Sequence, residues 1–206
     1  MFNTNTWNRI RYTIYTPFYD GVAALFNRSR RLSVDSLQIQ PGASVLLIGA
    51  GTGLDLPFFP ANCRVVATDL TPAMIARVKK RAERLNRPVE ALVMDGHHLD
   101  FPDASFDHVV LHLILAVIPD PDACLRETVR VLKPGGTVAV FDKFVGRNQK
   151  PTILRRLLNL PSAFLATHLT RQAESLLSPT GLEILSDTDA DAGGLFRRIL
   201  LRKPQP

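Results

Sequence analysis

The sequence predicts an α/β fold built on a doubly wound, mostly parallel sheet of seven strands. Two observations carry the parallel core. Short β-rich runs alternate with helical stretches between residues 44 and 141, and the runs are continuously apolar, as in strands covered on both faces. A third adds the site, because the first run leads straight into a glycine cluster. Residues 44–48 (SVLLI) read as a buried strand, followed by the glycines and a short helix from Leu54. Residues 63–68 (CRVVAT) form the second strand, ending at Asp69. Thr71-Pro72 opens a helix to about Asn86, with Thr71 as N-cap and Pro72 at the first helical position. Residues 89–94 are a third strand ending at Asp95, and 106–111 a fourth. A helix over 121–132 is closed by Lys133-Pro134-Gly135-Gly136, and 137–141 is the fifth strand.

Two segments stand outside this core. Residues 1–36 read as a helical, aromatic lid carrying Trp7, Tyr12, Tyr15, Phe18 and Tyr19, and 151–177 as amphipathic helix broken at Pro161. After Gly181, runs 182–185 and 195–201 pair as an antiparallel hairpin on the sheet edge. The expected organisation is one domain: N-terminal lid 1–36, ligand-binding core 42–143, and C-terminal helices with the edge hairpin 144–206.

Composition narrows the class. At 206 residues, 46% hydrophobic and 21% charged, the chain is ordinary globular material. A chain of this length buries roughly 70% of its unfolded surface and needs no disulfide or metal staple. Cys63 and Cys124 are far apart, which excludes a zinc ribbon, a disulfide scaffold and a C-x-x-C redox site. The longest apolar run, 113–118, is far short of the ~20 residues a membrane-spanning helix needs. The first residues lack the n-region and h-region of a signal peptide, so a cytoplasmic protein is expected. The net charge of +6 is uneven. Basic clusters lie at 9–31, 143–171 and 197–203, whereas many of the acids fall in the middle of the chain. Such ends are suited to an anionic surface, although long basic side chains also simply solvate exposed helix faces.

The glycine run Gly49-Ala50-Gly51-Thr52-Gly53 ends the first strand. A strand entering G-x-G-x-G turns tightly and lets a ligand approach its backbone, which a Cβ would obstruct. Asp69, at the end of the next strand, is placed to accept both hydroxyls of a ribose. Asp95, ending the third strand beside Gly96, is placed to accept from an adenine amine. Three strand ends converging on one crevice describe an adenosine pocket. A dinucleotide fingerprint, G-x-G-x-x-G, would need glycine at Leu54, and there is no G-K-[ST] phosphate loop.

The G-x-G-x-G spacing with Asp69 and Asp95 downstream resembles the class I S-adenosylmethionine-dependent methyltransferases, a Rossmann-like family. The likeness continues through Phe101-Pro102-Asp103-Ala104-Ser105-Phe106-Asp107, Pro119-Asp120-Pro121 and Arg130-Val131-Leu132-Lys133-Pro134-Gly135-Gly136, and covers about residues 42–143. It implies S-adenosyl-L-methionine as cofactor, held by Gly49, Ala50, Gly51, Gly53, Asp69, Leu70, Asp95, Gly96, His97 and Leu111, and no metal. One departure stands out. Relatives usually carry an acid two residues before the first glycine, where it helps hold the cofactor's amino-acid tail; this chain has Leu47. The α-ammonium must then find backbone carbonyls near Gly49 or Leu111, or another acid such as Asp55.

On the acceptor side, the expected residues are His112, which follows the fourth strand and is placed to take a proton or orient an acceptor, and Tyr19. Tyr19-Asp20 resembles the family's Tyr-Asp pair, whose ring lies against the positive sulfonium. Asp142 and Lys143 end the fifth strand. His112 is also read as a hydrogen-bonded structural histidine, and His97 and His98 also as loop decoration. Nothing completes a metal shell around His108 and His112. The stretch 117–123 and the short C-terminal region are similar to bacterial phospholipid N-methyltransferases, and quinone C-methyltransferases look similar over the same core. A small-molecule or phospholipid acceptor is therefore expected, with peripheral contact to an anionic membrane through the basic ends or through an amphipathic helix over 153–158. A nucleic-acid substrate is not expected: the fourth strand leads into Leu111-His112-Leu113-Ile114, without the Asn/Asp-Pro-Pro-aromatic motif of base-amine enzymes. A cofactor-binding protein of this fold without methyl transfer is the remaining alternative.

Overall fold

The computed structural model describes residues 26–144, 171–190 and 196–205. The expectations for Tyr19 and for 1–25, and those for 145–170, lie outside these residues. In chain order the elements are α1 (Asn27–Asp35), β1 (Ser44–Ile48), β2 (Arg64–Asp69), α2 (Pro72–Arg84), β3 (Val89–Val93), β4 (Phe106–His112), α3 (Pro121–Val131), β5 (Leu132–Lys143), α4 (Ala173–Leu177), β6 (Glu183–Asp189) and β7 (Phe196–Arg202). The strands form one sheet in the order β3-β2-β1-β4-β5-β7-β6. β1 pairs in parallel with β2 and β4, which sets Leu47 opposite Ala67 on one side and Val110 on the other. All five β1 residues are buried, four of them apolar and Ser44 hydrogen-bonded to Asp107, as in a central strand covered on both faces.

Strand side chains alternate between faces, so the core splits into two layers. Leu46, Ile48, Val109 and Leu111 pack with Cys124 and Leu125 of α3 and with Ala173 and Leu177 of α4. Val45, Leu47 and Val110 pack with Val34 of α1 and with Ile75 and Val78 of α2. Both cysteines are free and buried.

Two local expectations change, and the expected C-terminal hairpin gains its strand order. The helix from Leu54 is only a 3-10 turn at Leu56–Phe58 containing Pro57, which lacks the N–H that a longer helix would use. The turn before the fifth strand is itself strand: β5 starts at Leu132, directly after α3, and pairs as far as the C-terminal tail, where Gly135 N–H donates to Lys203 O and Lys203 N–H to Gly136 O. A Cβ at Gly136 would meet Asp107 O at 2.8 Å, so this close approach needs glycine. The C-terminal hairpin forms, but its second strand, β7, takes the inner place against β5, antiparallel to it. The FRRILLR run, with Phe196, Ile199 and Leu201 buried, fills the covered slot, whereas the more polar EILSDTD, with a register shift between Ile184 and Ser186, forms the exposed edge. Arg197 of β7 is buried, paired with Asp187 and, at 2.9 Å, with Glu174. No helix among the described residues is long and apolar enough to cross a membrane.

Candidate active site

The parallel strand order reverses between β1 and β4, and the carboxyl ends of strands beside such a reversal are where open α/β sheets bind ligands. A cleft of about 670 Å³, open to solvent, lies there. It is lined by Gly49 and Gly51 after β1, Asp69, Leu70 and Thr71 after β2, Asp95 and Gly96 after β3, and the segment from His112 to Pro119 after β4. Ala50, Gly53, His97 and Leu111 are not among the lining residues.

Gly49 turns the chain out of β1 with φ +68, and a Cβ there would lie 2.3 Å from Ile114 Cδ1. The Asp69 carboxylate anchors the turn. One oxygen accepts Gly51 N–H and the other Thr71 N–H, both at 2.9 Å. Thr71 does occupy the N-cap position of α2, but its side chain makes no capping bond. Burial pushes the Asp69 carboxyl up to about 6, against the two N–H bonds that favour the ionised form. A carboxylate has about four acceptor positions; the two N–H bonds and the Thr71 hydroxyl take three of them, which leaves one.

Asp95 faces the cleft and is fixed by His97. Its Oδ1 accepts His97 N–H at 3.0 Å and lies 2.7 Å from His97 Nδ1. The other ring nitrogen accepts Asp120 N–H, so the ring donates from Nδ1. His97 therefore touches the carboxylate rather than the cleft itself. Here the sequence reading of a cofactor contact becomes a supporting contact one residue away.

The roof of the cleft, residues 113–119, is held by the end of β5 and by Arg171. Leu113, at φ +59, donates its N–H to Phe141 O at 2.7 Å. Ala116 N–H donates to Asp142 Oδ2 at 3.0 Å, and Arg171 donates to Leu115 O and, at 2.9 Å, to Ile118 O. Burial pushes Asp142 up to about 6 despite the N–H bonds from Lys143 and Ala116. Asp142 was legible as a strand end; Arg171 was not singled out for this site, because its partners lie 53 and 56 residues away. Arg171→Met is expected to speed hydrogen exchange at the Val117 and Ile118 amides by about 10-fold or more, since each charge-assisted bond contributes roughly 1.5–3 kcal/mol. Unchanged exchange would show that these carbonyl contacts do not hold the roof.

His112 departs from expectation. Its ring is buried, with Nδ1 2.8 Å from Asp55 Oδ1 and Nε2 3.0 Å from Ser33 Oγ. Neither nitrogen is open to an acceptor or its proton, so the role of base or acceptor guide does not fit this arrangement. Asp55 is likewise spent, because its second oxygen takes the Arg30 guanidinium at 2.6 Å. Burial would raise the Asp55 carboxyl, but Arg30 and His112 outweigh it and hold the group well below the usual carboxylate range. Asp55 is thus not the acid that replaces the missing one at Leu47, and Leu47 is wholly buried. Backbone carbonyls remain for an ammonium. His108 pairs with Thr137 at 2.8 Å, apart from His112, and no group of three or more potential metal ligands gathers among the described residues.

Comparison with known proteins gives consistent results. Residues 46–140 match the family model described as a methyltransferase domain. The chain is 32% identical over 157 residues to a phosphatidylethanolamine N-methyltransferase of Cereibacter sphaeroides, covering 75% of this chain and 77% of that one. It is 30% identical over 196 residues to a demethylmenaquinone methyltransferase of Parafrankia sp., covering 83% and 77%. Its fold superposes on the crystal structure of the cyclase SpnF with a TM-score of 0.80 at 19% identity, over 98% of this chain and 97% of that one.

Proposed function

The chain belongs to the S-adenosylmethionine-dependent methyltransferases, and from that premise we propose that it methylates a lipid-like, apolar acceptor, first of all the amine of a phospholipid. The observation that carries this reading is the likeness to a phosphatidylethanolamine N-methyltransferase over three quarters of both chains. The surface of α1 supports it: Arg28 and Arg31 are exposed, and Leu32 between them and the helix end is 44% exposed. Basic side chains near an anionic leaflet contribute about 1 kcal/mol each, and an apolar neighbour adds burial in the interface. A quinone acceptor is the second reading, favoured by the demethylmenaquinone methyltransferase relative.

When bound, S-adenosylmethionine supplies a methyl group on a sulfonium, which an acceptor lone pair takes in line as the C–S electron pair returns to sulfur. The residues of the cleft fit that cofactor. Asp69, with one acceptor position left and a second on exchange of the Thr71 hydroxyl, takes the ribose hydroxyls; Asp95, fixed by His97, takes the adenine amine. The glycine turn leaves the carbonyls near Gly49 and Leu111 for the tail ammonium. Much of the rate then comes from holding the acceptor aligned, an effect on the order of 7–11 kcal/mol in favourable cases. Tyr19, in the segment before α1, is assigned to the sulfonium, its ring face meeting the positive charge.

The test supplies methyl-labelled cofactor with vesicles of phosphatidylethanolamine and anionic lipid, and separately with a demethylated quinone. Label in the lipid amine is the expected outcome. Label only in the quinone would overturn the phospholipid reading in favour of the second, and label in neither would overturn both.

A further inference from the structure

Four buried polar side chains form one line beside the cleft: Arg30, Asp55, His112 and Ser33. Arg30 and Ser33 sit one turn apart on α1, Asp55 follows the glycine turn, and His112 ends β4. Arg30 donates to Asp55 at 2.6 Å, His112 Nδ1 meets the other Asp55 oxygen at 2.8 Å, and His112 Nε2 meets Ser33 Oγ at 3.0 Å. None of the four is more than 3% exposed. An ionised Asp55 only accepts, so the ring donates from Nδ1, and Nε2 pairs with the Ser33 hydroxyl.

Stability alone is a weak reason for such a line. A buried ion pair costs desolvation, and well-packed apolar side chains often serve as well or better. Apolar packing is at hand, since Val34, Leu56 and Val110, chain neighbours of three of these residues or one removed, belong to one buried cluster with Leu47. What the line does is join elements the sheet does not join. The β1–β4 ladder ends at Ile48 and Leu111, one residue short of Gly49 and His112. Past that point Asp55 is tied to His112 by side chains, and both are tied to α1. His112 and Gly49 line the end of the cleft assigned to the cofactor's amino-acid tail.

We infer that Ser33, Arg30, Asp55 and His112 are positioning residues for the amino-acid tail of the cofactor, holding the glycine turn and the end of β4 at the separation that lets backbone carbonyls bind the ammonium where Leu47 supplies no acid. The inference rests on the placement of the cofactor proposed above, with adenosine at Asp69 and Asp95. It assigns α1 a part in cofactor selection although no α1 residue lines the cleft.

The experiment compares two ligands by calorimetry: S-adenosylhomocysteine, which has the amino-acid tail, and 5′-methylthioadenosine, which shares the adenosine and the thioether but lacks it. Ser33→Ala is expected to weaken S-adenosylhomocysteine about fivefold, the loss of one buried hydrogen bond, and to leave 5′-methylthioadenosine within about twofold. Asp55→Asn is expected to act in the same sense and more strongly; if it does not fold, Ser33→Ala alone decides. Equal weakening of both ligands, or of neither, would overturn the inference and leave the line a structural feature of α1 packing. An Asp69→Asn control separates the premises: it should weaken both ligands. A control that weakens neither would overturn the cofactor placement and the inference with it.

Discussion

Asp69→Asn is expected to weaken S-adenosylmethionine binding by about 100-fold or more. The carboxylate holds Gly51 N–H on one oxygen and Thr71 N–H on the other, and in the proposed placement of the cofactor it also accepts from the ribose. An asparagine has a single acceptor oxygen, so its NH₂ must face one of those two backbone donors. Either the glycine turn or the start of α2 loses its anchor, and one ribose hydroxyl loses its acceptor. Two lost charge-assisted bonds at roughly 1.5 kcal/mol each already amount to about 100-fold. The pH dependence follows from the same group. Burial raises the Asp69 carboxyl to about 6, so the folded protein holds this proton more tightly than the unfolded chain. Ionising it therefore costs stability as pH rises from about 4, the ordinary carboxylate value, to about 6. Ribose hydroxyls prefer the ionised form, so binding releases a proton near pH 6, and affinity falls as pH drops below it. Calorimetry at pH 6 in two buffers of different ionisation heat measures that proton. Asp142 titrates in the same window; Asp69→Asn keeps it, and the release should disappear in that variant. Wild-type affinity that stays flat between pH 5 and 8 would remove Asp69 from the ribose.

Leu47→Asp is expected to destabilise the fold by about 3–5 kcal/mol, the scale of a carboxyl forced into an apolar interior without a partner. The position is fully buried, lies between Ala67 and Val110 in the sheet, and shares its apolar cluster with Val34, Leu56 and Ala50. Restoring the acid that relatives usually carry there thus places a second carboxyl in the layer that already holds ionised Asp55. For a domain of 150–250 residues each kcal/mol moves the melting temperature by about 2–4 °C, so a drop of about 10 °C is the expected reading. A variant that melts like the wild type and binds the cofactor more tightly would show instead that the tail simply lacks its acid and the surroundings still accept one.

These two residues mark what a reader of the chain can and cannot reach. Asp69 and Asp95 were legible because Asp69 ends β2 and Asp95 follows β3 by two residues, and the end of a parallel strand fixes a residue's place at the cleft rim. Leu47 was legible as a departure, but whether its surroundings were still built for an acid was not. His112 was legible as the residue that ends β4, but the choice between acceptor-side base and hydrogen-bonded structural histidine was not, because both ring nitrogens go to partners 57 and 79 residues away. His97 was legible as a neighbour of Asp95, but its bonds to that carboxylate and to Asp120 N–H were not.

By itself the sequence determined the class of fold, the order of strands and helices through the core, and the convergence of a glycine turn and two carboxylates on one crevice. All of these follow from local patterns: apolar runs, strand ends and the backbone freedom of glycine. Only the tertiary structure decided that β7 lies inside β6, that Arg171 and Asp142 hold the roof of the cleft, and that Asp55 and His112 satisfy each other across α1. The physical reason is burial. A polar group taken from water must find its partner wherever the fold brings one, and that partner is chosen by packing between distant segments, which no local pattern records.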